Sequence, residues 1–164
     1  MRFGFEPHRA GANRPPEFIQ PLQRSLRGRR GGCQHADSVD EQIGAANVER
    51  LAKEALGGAE TKEAVAEQLL ARLHREVRDT GVEFGEAALI PRTPTETLTR
   101  KYGDCKDQAT LLIALLREAG VEAHVALLST GPGPDVEREL PGLGAFDHAI
   151  VYVLGKPPLW IDPT

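Results

Sequence analysis

Cys105 closes a Gly103-Asp104-Cys105 turn and opens a strongly periodic segment; His148 follows in Phe146-Asp147-His148-Ala149, and Asp162 in Trp160-Ile161-Asp162-Pro163-Thr164. Thiol, imidazole and carboxylate, in that order, are the parts of a nucleophilic acyl-transfer site. The thiolate attacks a carbonyl, the imidazolium protonates the leaving amine, and a thioester remains for a second nucleophile. Water in that second step gives hydrolysis, and an amine gives transamidation. Asp162 would hold one ring nitrogen of His148 and turn the other toward sulfur. The backbone N–H of Cys105 is the oxyanion donor that the sequence offers, and a second donor is unassigned. A sulfur in the first helical turn, facing unpaired N–H groups and the positive end of the macrodipole, predicts a lowered thiol pKa. Asp104 reads as the helix cap and Asp107 as a complement to the dipole. Their charge opposes the thiolate, and Lys106 partly offsets it.

Other readings use the same residues. Cys105, His148 and Asp162, with His124 as a fourth, are all zinc-ligand types, but no CxxC or HxxxH spacing supports a metal site. The expectation is therefore a chemistry that needs no metal and no cofactor. Cys33 and Cys105 could pair as a disulfide only in an oxidising compartment. Cys105 could also be an inert core thiol, His148 a satisfied strand-end histidine and Asp162 a turn residue before Pro163.

The elements that must position these groups are legible by period. Val39, Ile43, Val48, Leu51, Ala55 and Leu56 mark an amphipathic helix that stops at Gly57-Gly58. A second helix begins near Thr61, carries Val65, Leu69, Leu73 and Val77 in steps of four, and ends around Gly81. Thr93-Pro94-Thr95-Glu96 has the cap, the proline and the acidic residue of a capping box, before a short helix to about Lys101. Cys105, Ala109, Leu112 and Leu116 share one face of a helix over residues 106–119, and that face is predicted to be buried. Residues 121–128 alternate as a strand, with Val121, Ala123, Val125 and Leu127 on one side. Residues 129–146, rich in Gly and Pro, form a long loop expected to border the substrate cleft. Residues 148–154 are apolar on both faces, as in a central strand, and after a turn at 155–158 the chain returns through 159–162.

Strand parity supplies a geometric test. His148 and Asp162 share a sheet face only if the connecting loop holds an odd number of residues or a bulge. A three-residue loop, Gly155-Lys156-Pro157, sets Leu154 opposite Pro158 and Ile150 opposite Asp162, with Asp162 diagonal to His148.

A chain of 164 residues with 40% apolar content suits one domain with a single core. The net charge of −4 hides an asymmetry, since residues 1–36 carry seven Arg against two Glu, about +5, and the rest holds about −9. Residues 1–36 read as a disordered basic segment and 37–164 as the folded domain. The acidic domain argues against nucleic acid as the main partner. No run of about 18 apolar residues spans a membrane and no apolar leader opens the chain, so the sequence reads as cytoplasmic.

Taken together, Tyr102-Gly103-Asp104-Cys105-Lys106-Asp107 with Ala109-Thr110-Leu111-Leu112, then Phe146-Asp147-His148-Ala149, then Trp160-Ile161-Asp162-Pro163-Thr164, resemble the transglutaminase-like superfamily in its bacterial form. The resemblance covers about residues 40–164. It implies a papain-like α+β fold, with helices packed on an antiparallel sheet and the nucleophilic cysteine at a helix N-terminus. By motif match Cys105 is the nucleophile, His148 the base and acid, and Asp162 the orienting residue. Nothing resembles the acidic calcium sites of animal members, so no metal requirement is implied. The implied partner is a protein or peptide substrate, and relatives usually continue past the position of Thr164, which suggests a domain truncated at its C-terminus. The resemblance does not select among transglutaminases, proteases and amide hydrolases. A non-catalytic interaction module that keeps the fold is the alternative.

Overall fold

The computed structural model describes residues 46–81, 90–130 and 146–164. The basic segment 1–36, the helical positions Val39 and Ile43, Cys33 and most of the loop at 129–146 lie outside the described residues.

Helix α1 (Ala46–Leu56) buries Val48, Leu51 and Ala52 and stops where Gly57 and Gly58 take φ of 45° and 87°, a left-handed backbone that glycine adopts without steric cost. Helix α2 (Lys62–Glu76) starts at Thr61, whose Oγ1 accepts the Ala64 N–H at 3.2 Å. It ends at Glu76, short of the expected stop near Gly81. Val77 is extended there (φ −129°, ψ 132°), and the Arg78 and Thr80 N–H groups donate to the carbonyls of Lys101 (3.0 Å) and Gly103 (3.1 Å). These bonds form a two-residue parallel ladder between β1 (Arg78–Asp79) and β2 (Tyr102–Gly103). Val77 is still buried, as its step-of-four spacing requires, but from a strand-like backbone. Periodicity alone does not separate the two.

Helix α3 (Pro94–Arg100) has the full capping box: Thr93 Oγ1 accepts the Glu96 N–H at 3.2 Å, and Glu96 Oε2 accepts the Thr93 N–H at 3.0 Å. It delivers the chain through β2 to Gly103. A Cβ at Gly103 would lie 2.7 Å from Asp107 Cβ, so only glycine lets this strand pass so close to the start of the next helix.

That next helix, α4 (Cys105–Glu118), is buried continuously from Asp107 to Leu116. The single buried face predicted from sequence is an underestimate. Helices α1, α2 and α3 pack on one side of α4, and strands β3 (Ala123–Leu128) and β4 (His148–Val153) on the other, leaving its middle no solvent side. The three-stranded antiparallel sheet runs β3-β4-β5, with β5 at Leu159–Ile161 and β4 central, as its two apolar faces require. Ala123, Ala149, Val151 and Val153 face the helical core, whereas Ala126 and Tyr152 are buried on the other face. Val125 shares the register of the core-facing residues yet is 43% exposed. The result is an α+β fold with α4 at its centre. No helix among the described residues is long and apolar enough to cross a membrane.

Candidate active site

Two elements converge on the site, each by a local rule. Asp104 caps α4, its Oδ1 accepting the Asp107 N–H at 3.2 Å, and this fixes Cys105 as the first helical residue. Lys106 Nζ pairs with Asp104 Oδ2. Asp107 Oδ1 in turn accepts the Arg92 N–H at 2.7 Å. Gln108, buried one turn on, donates from Nε2 to Asp79 Oδ1 (3.1 Å) and to the Gly103 carbonyl (3.2 Å). The start of α4 is therefore tied to β1, to β2 and to the approach to α3.

The β4–β5 register supplies the other half. Val151 pairs with Ile161, Tyr152 with Trp160 and Val153 with Leu159, so five residues, 154–158, separate the last paired positions, and the same register carried one step past β5 sets Asp162 level with Ile150. This is the register that the odd-numbered loop requires. Asp162 lies diagonal to His148 on one sheet face, and His148 Nε2 sits 3.0 Å from Asp162 Oδ2. An ionised carboxylate only accepts, so Nε2 carries the hydrogen and Nδ1 is left for a second partner. The imidazole is mostly covered and the carboxylate half open to water.

Cys105 reaches this strand end through the backbone. The N–H of Ala149, the residue after His148, acts on the Cys105 sulfur to favour the thiolate, and Ala149 itself faces the core. Among the described residues Cys105 is a free thiol, and its candidate disulfide partner Cys33 lies outside them. The acidity of Cys105 runs opposite to the sequence expectation. Burial pushes the thiol up; the Ala149 N–H pulls it back, Asp104 pushes it further up, and Lys106 offsets only part. Desolvation is the largest of these causes, and the net shift is upward. Iodoacetamide is thus expected to alkylate Cys105 in a Cys33→Ala protein more slowly at neutral pH than it alkylates an unfolded cysteine. The rate should still be rising above about pH 8.5, the ordinary thiol value. A profile that levels off well below that value would contradict the upward shift. The shift also favours folding with the thiol protonated: this contribution is present below the ordinary thiol pKa and is lost as pH rises through the shifted value.

Asp162 moves the other way. Burial raises it, but the hydrogen bond with His148 and the Thr164 N–H and Oγ1 donors on Oδ1, at 3.2 and 2.9 Å, bring it below the usual carboxylate value. Next to His148, Asp147 accepts the N–H (2.7 Å) and the hydroxyl (3.0 Å) of Thr130, closing the base of the loop that connects β3 to β4. These bonds, with the charge of His148, hold Asp147 low.

The zinc arrangement is not formed. His124 lies at the far end of β3 from Leu128, the partner of His148, and it pairs with Glu122 at 3.3 Å. Among the described residues no group of three or more His, Cys, Asp or Glu is placed to hold a metal ion. A cavity of about 230 Å³ lined by Lys62, Leu154, Lys156 and Leu159, among others, lies at the opposite end of β4 and contains none of the three candidate residues. Sequence reasoning missed two contributors. Thr164 was legible as turn chemistry, since a hydroxyl two residues after an aspartate can bond back to it. His74, whose Nε2–H donates to the Pro163 carbonyl at 2.9 Å, has no local signal, because its partner lies 89 residues away.

Known proteins agree with this arrangement at the level of fold. The profile of the transglutaminase-like superfamily matches residues 49–161. A crystal structure from Parabacteroides distasonis, described as a "putative protease", superposes with a TM-score of 0.62 at 14% identity, over 90% of this chain and 26% of that one. At that identity the likeness is one of fold, and this chain spans about a quarter of that protein's length. No curated relative matches the sequence.

Proposed function

The chain belongs to the transglutaminase-like superfamily, and from that premise we propose that it performs thiol-dependent acyl transfer or hydrolysis at an amide or peptide bond of a protein or peptide substrate. The observation that carries the reading is the 3.0 Å His148–Asp162 pair, set by strand register next to Ala149, whose N–H is one of two backbone groups that act on the Cys105 sulfur. Cys105 rests as a thiol, so His148 acts first as a general base. Nδ1 takes the Sγ proton as sulfur adds to the carbonyl carbon, and Asp162 stabilises the imidazolium that forms. Nδ1–H then protonates the leaving amine, the C–N bond breaks and a Cys105 thioester remains. Water or a second amine, deprotonated by His148, releases the acyl group and restores the thiol. The Cys105 N–H, in the first turn of α4, is the donor for the oxyanion.

The test is an acyl-enzyme trap. The Cys33→Ala protein is mixed with a peptide library containing glutamine and internal amide bonds, quenched in acid and digested for mass spectrometry. An acyl adduct on the Cys105 peptide, absent from Cys105→Ala, is the expected result. The upward shift of the thiol favours one second reading, a non-catalytic interaction module that retains the fold. That reading predicts no adduct at any pH with every substrate class, and such a result would replace the enzymatic one.

A further inference from the structure

The carboxylate of Asp162 has both oxygens assigned: Oδ2 to His148, and Oδ1 to the N–H and hydroxyl of Thr164. The intervening residue, Pro163, is buried, and its carbonyl accepts Nε2–H of His74, an exposed residue in the last turn of α2. The same turn of α2 is braced on both sides. Arg72 pairs with Glu54 of α1 (3.2 Å) and with Glu76 (3.0 Å), and Glu76 pairs with Lys101 after α3. Asp162 itself lies past the last paired residue of β5, so the ladder does not hold it. Its aim depends on what holds residues 163 and 164.

We propose that His74 is a positioning residue for the His148–Asp162 pair, acting through the Pro163 carbonyl to keep Thr164 on Oδ1 and Oδ2 on the imidazole. The role deepens the reading of the site given above and rests on it. A carbonyl only accepts, so His74 must present a hydrogen at Nε2 and needs no charge to do so. A glutamine amide at the same position carries an equivalent donor. Alanine carries none, and residues 162–164 then lose this hydrogen bond to α2.

The experiment follows the Asp162 side-chain carboxyl by carbon-detected NMR titration in the full chain, as wild type, His74→Ala and His74→Gln, with thermal unfolding recorded for each. Asp162 faces the His148 ring and the two Thr164 donors. Loosening them in His74→Ala is expected to raise its midpoint by about half a pH unit, or threefold in proton affinity. His74→Gln should return it to the wild-type value. A lower Tm in His74→Ala with an unmoved Asp162 midpoint would make His74 a structural residue only and overturn the proposal. A raised midpoint that glutamine fails to restore would overturn it too. Failure of the underlying reading shows elsewhere: if His148→Ala leaves the Cys105 alkylation profile with iodoacetamide unchanged, the thiol and imidazole are uncoupled, whatever His74 does to Asp162.

Discussion

Replacing His148 with alanine is expected to lower the rate of Cys105 acylation by about 10²–10⁴-fold, the range that a positioned acid–base group contributes. The loss is expected in single-turnover acylation, because a thiol pushed up by burial has almost no thiolate of its own at neutral pH and depends on a neighbouring base. Asp162→Asn is expected to act in the same direction but less strongly, since the amide oxygen still accepts Nε2–H while the charge that stabilises the imidazolium is gone. Both variants should unfold near the wild-type temperature: His148 opens β4 at its first residue, and Asp162 is half open to water. A His148→Ala protein that acylates at the wild-type rate would remove the imidazole from the mechanism.

The largest effect on stability is expected from Leu112→Ala. Leu112 is fully buried in α4, between the helical layer and the sheet. Truncating a leucine in such a position costs about 2–5 kcal/mol, from lost transfer energy plus the cavity left behind. Against the roughly 5–15 kcal/mol that holds a typical domain together, this is a large share. Urea unfolding should show a lowered midpoint at unchanged slope. Val125→Ala, at a β3 position 43% exposed, is the control and should move the midpoint little. Equal effects at the two positions would mean that α4 is not the centre of the core.

Much of this architecture is written in short-range patterns. The Thr93 capping box, the stop at Gly57-Gly58 and the cap at Asp104 each follow from a few residues acting on their own backbone, so the sequence displays them directly. The β4–β5 register is only half legible: the sequence shows that an odd-numbered connection would put His148 and Asp162 on the same side, but the choice of that connection comes with the pairing of Val153 and Leu159 in the folded sheet. The end of α2 is not legible, since the parallel bonds from residues 78 and 80 to residues 101 and 103 compete with the helix from more than twenty positions away. The burial of α4 on all sides depends on how many elements gather around it, and a single-face pattern such as Cys105, Ala109, Leu112 and Leu116 records only one of them. The acidity of Cys105 is hidden for the same reason: the helix N-terminus is a local feature, whereas the burial that pushes the thiol up is a property of the assembled protein. His74 marks the extreme case, a contact that only folding creates.

The position of α4 also bears on how the protein can move. Breathing motions in a folded chain begin where backbone is exposed and contacts are few, and the most enclosed segment opens last. The helix that starts with Cys105 is that segment here, buried from Asp107 to Leu116, with the half-buried thiol two residues before the enclosed stretch. Asp162 sits on the opposite kind of support, an unpaired chain segment held by Thr164 and His74. The two sides of the candidate site therefore rest on different supports, Cys105 on the start of the most enclosed helix and Asp162 on bonds made outside the sheet ladder.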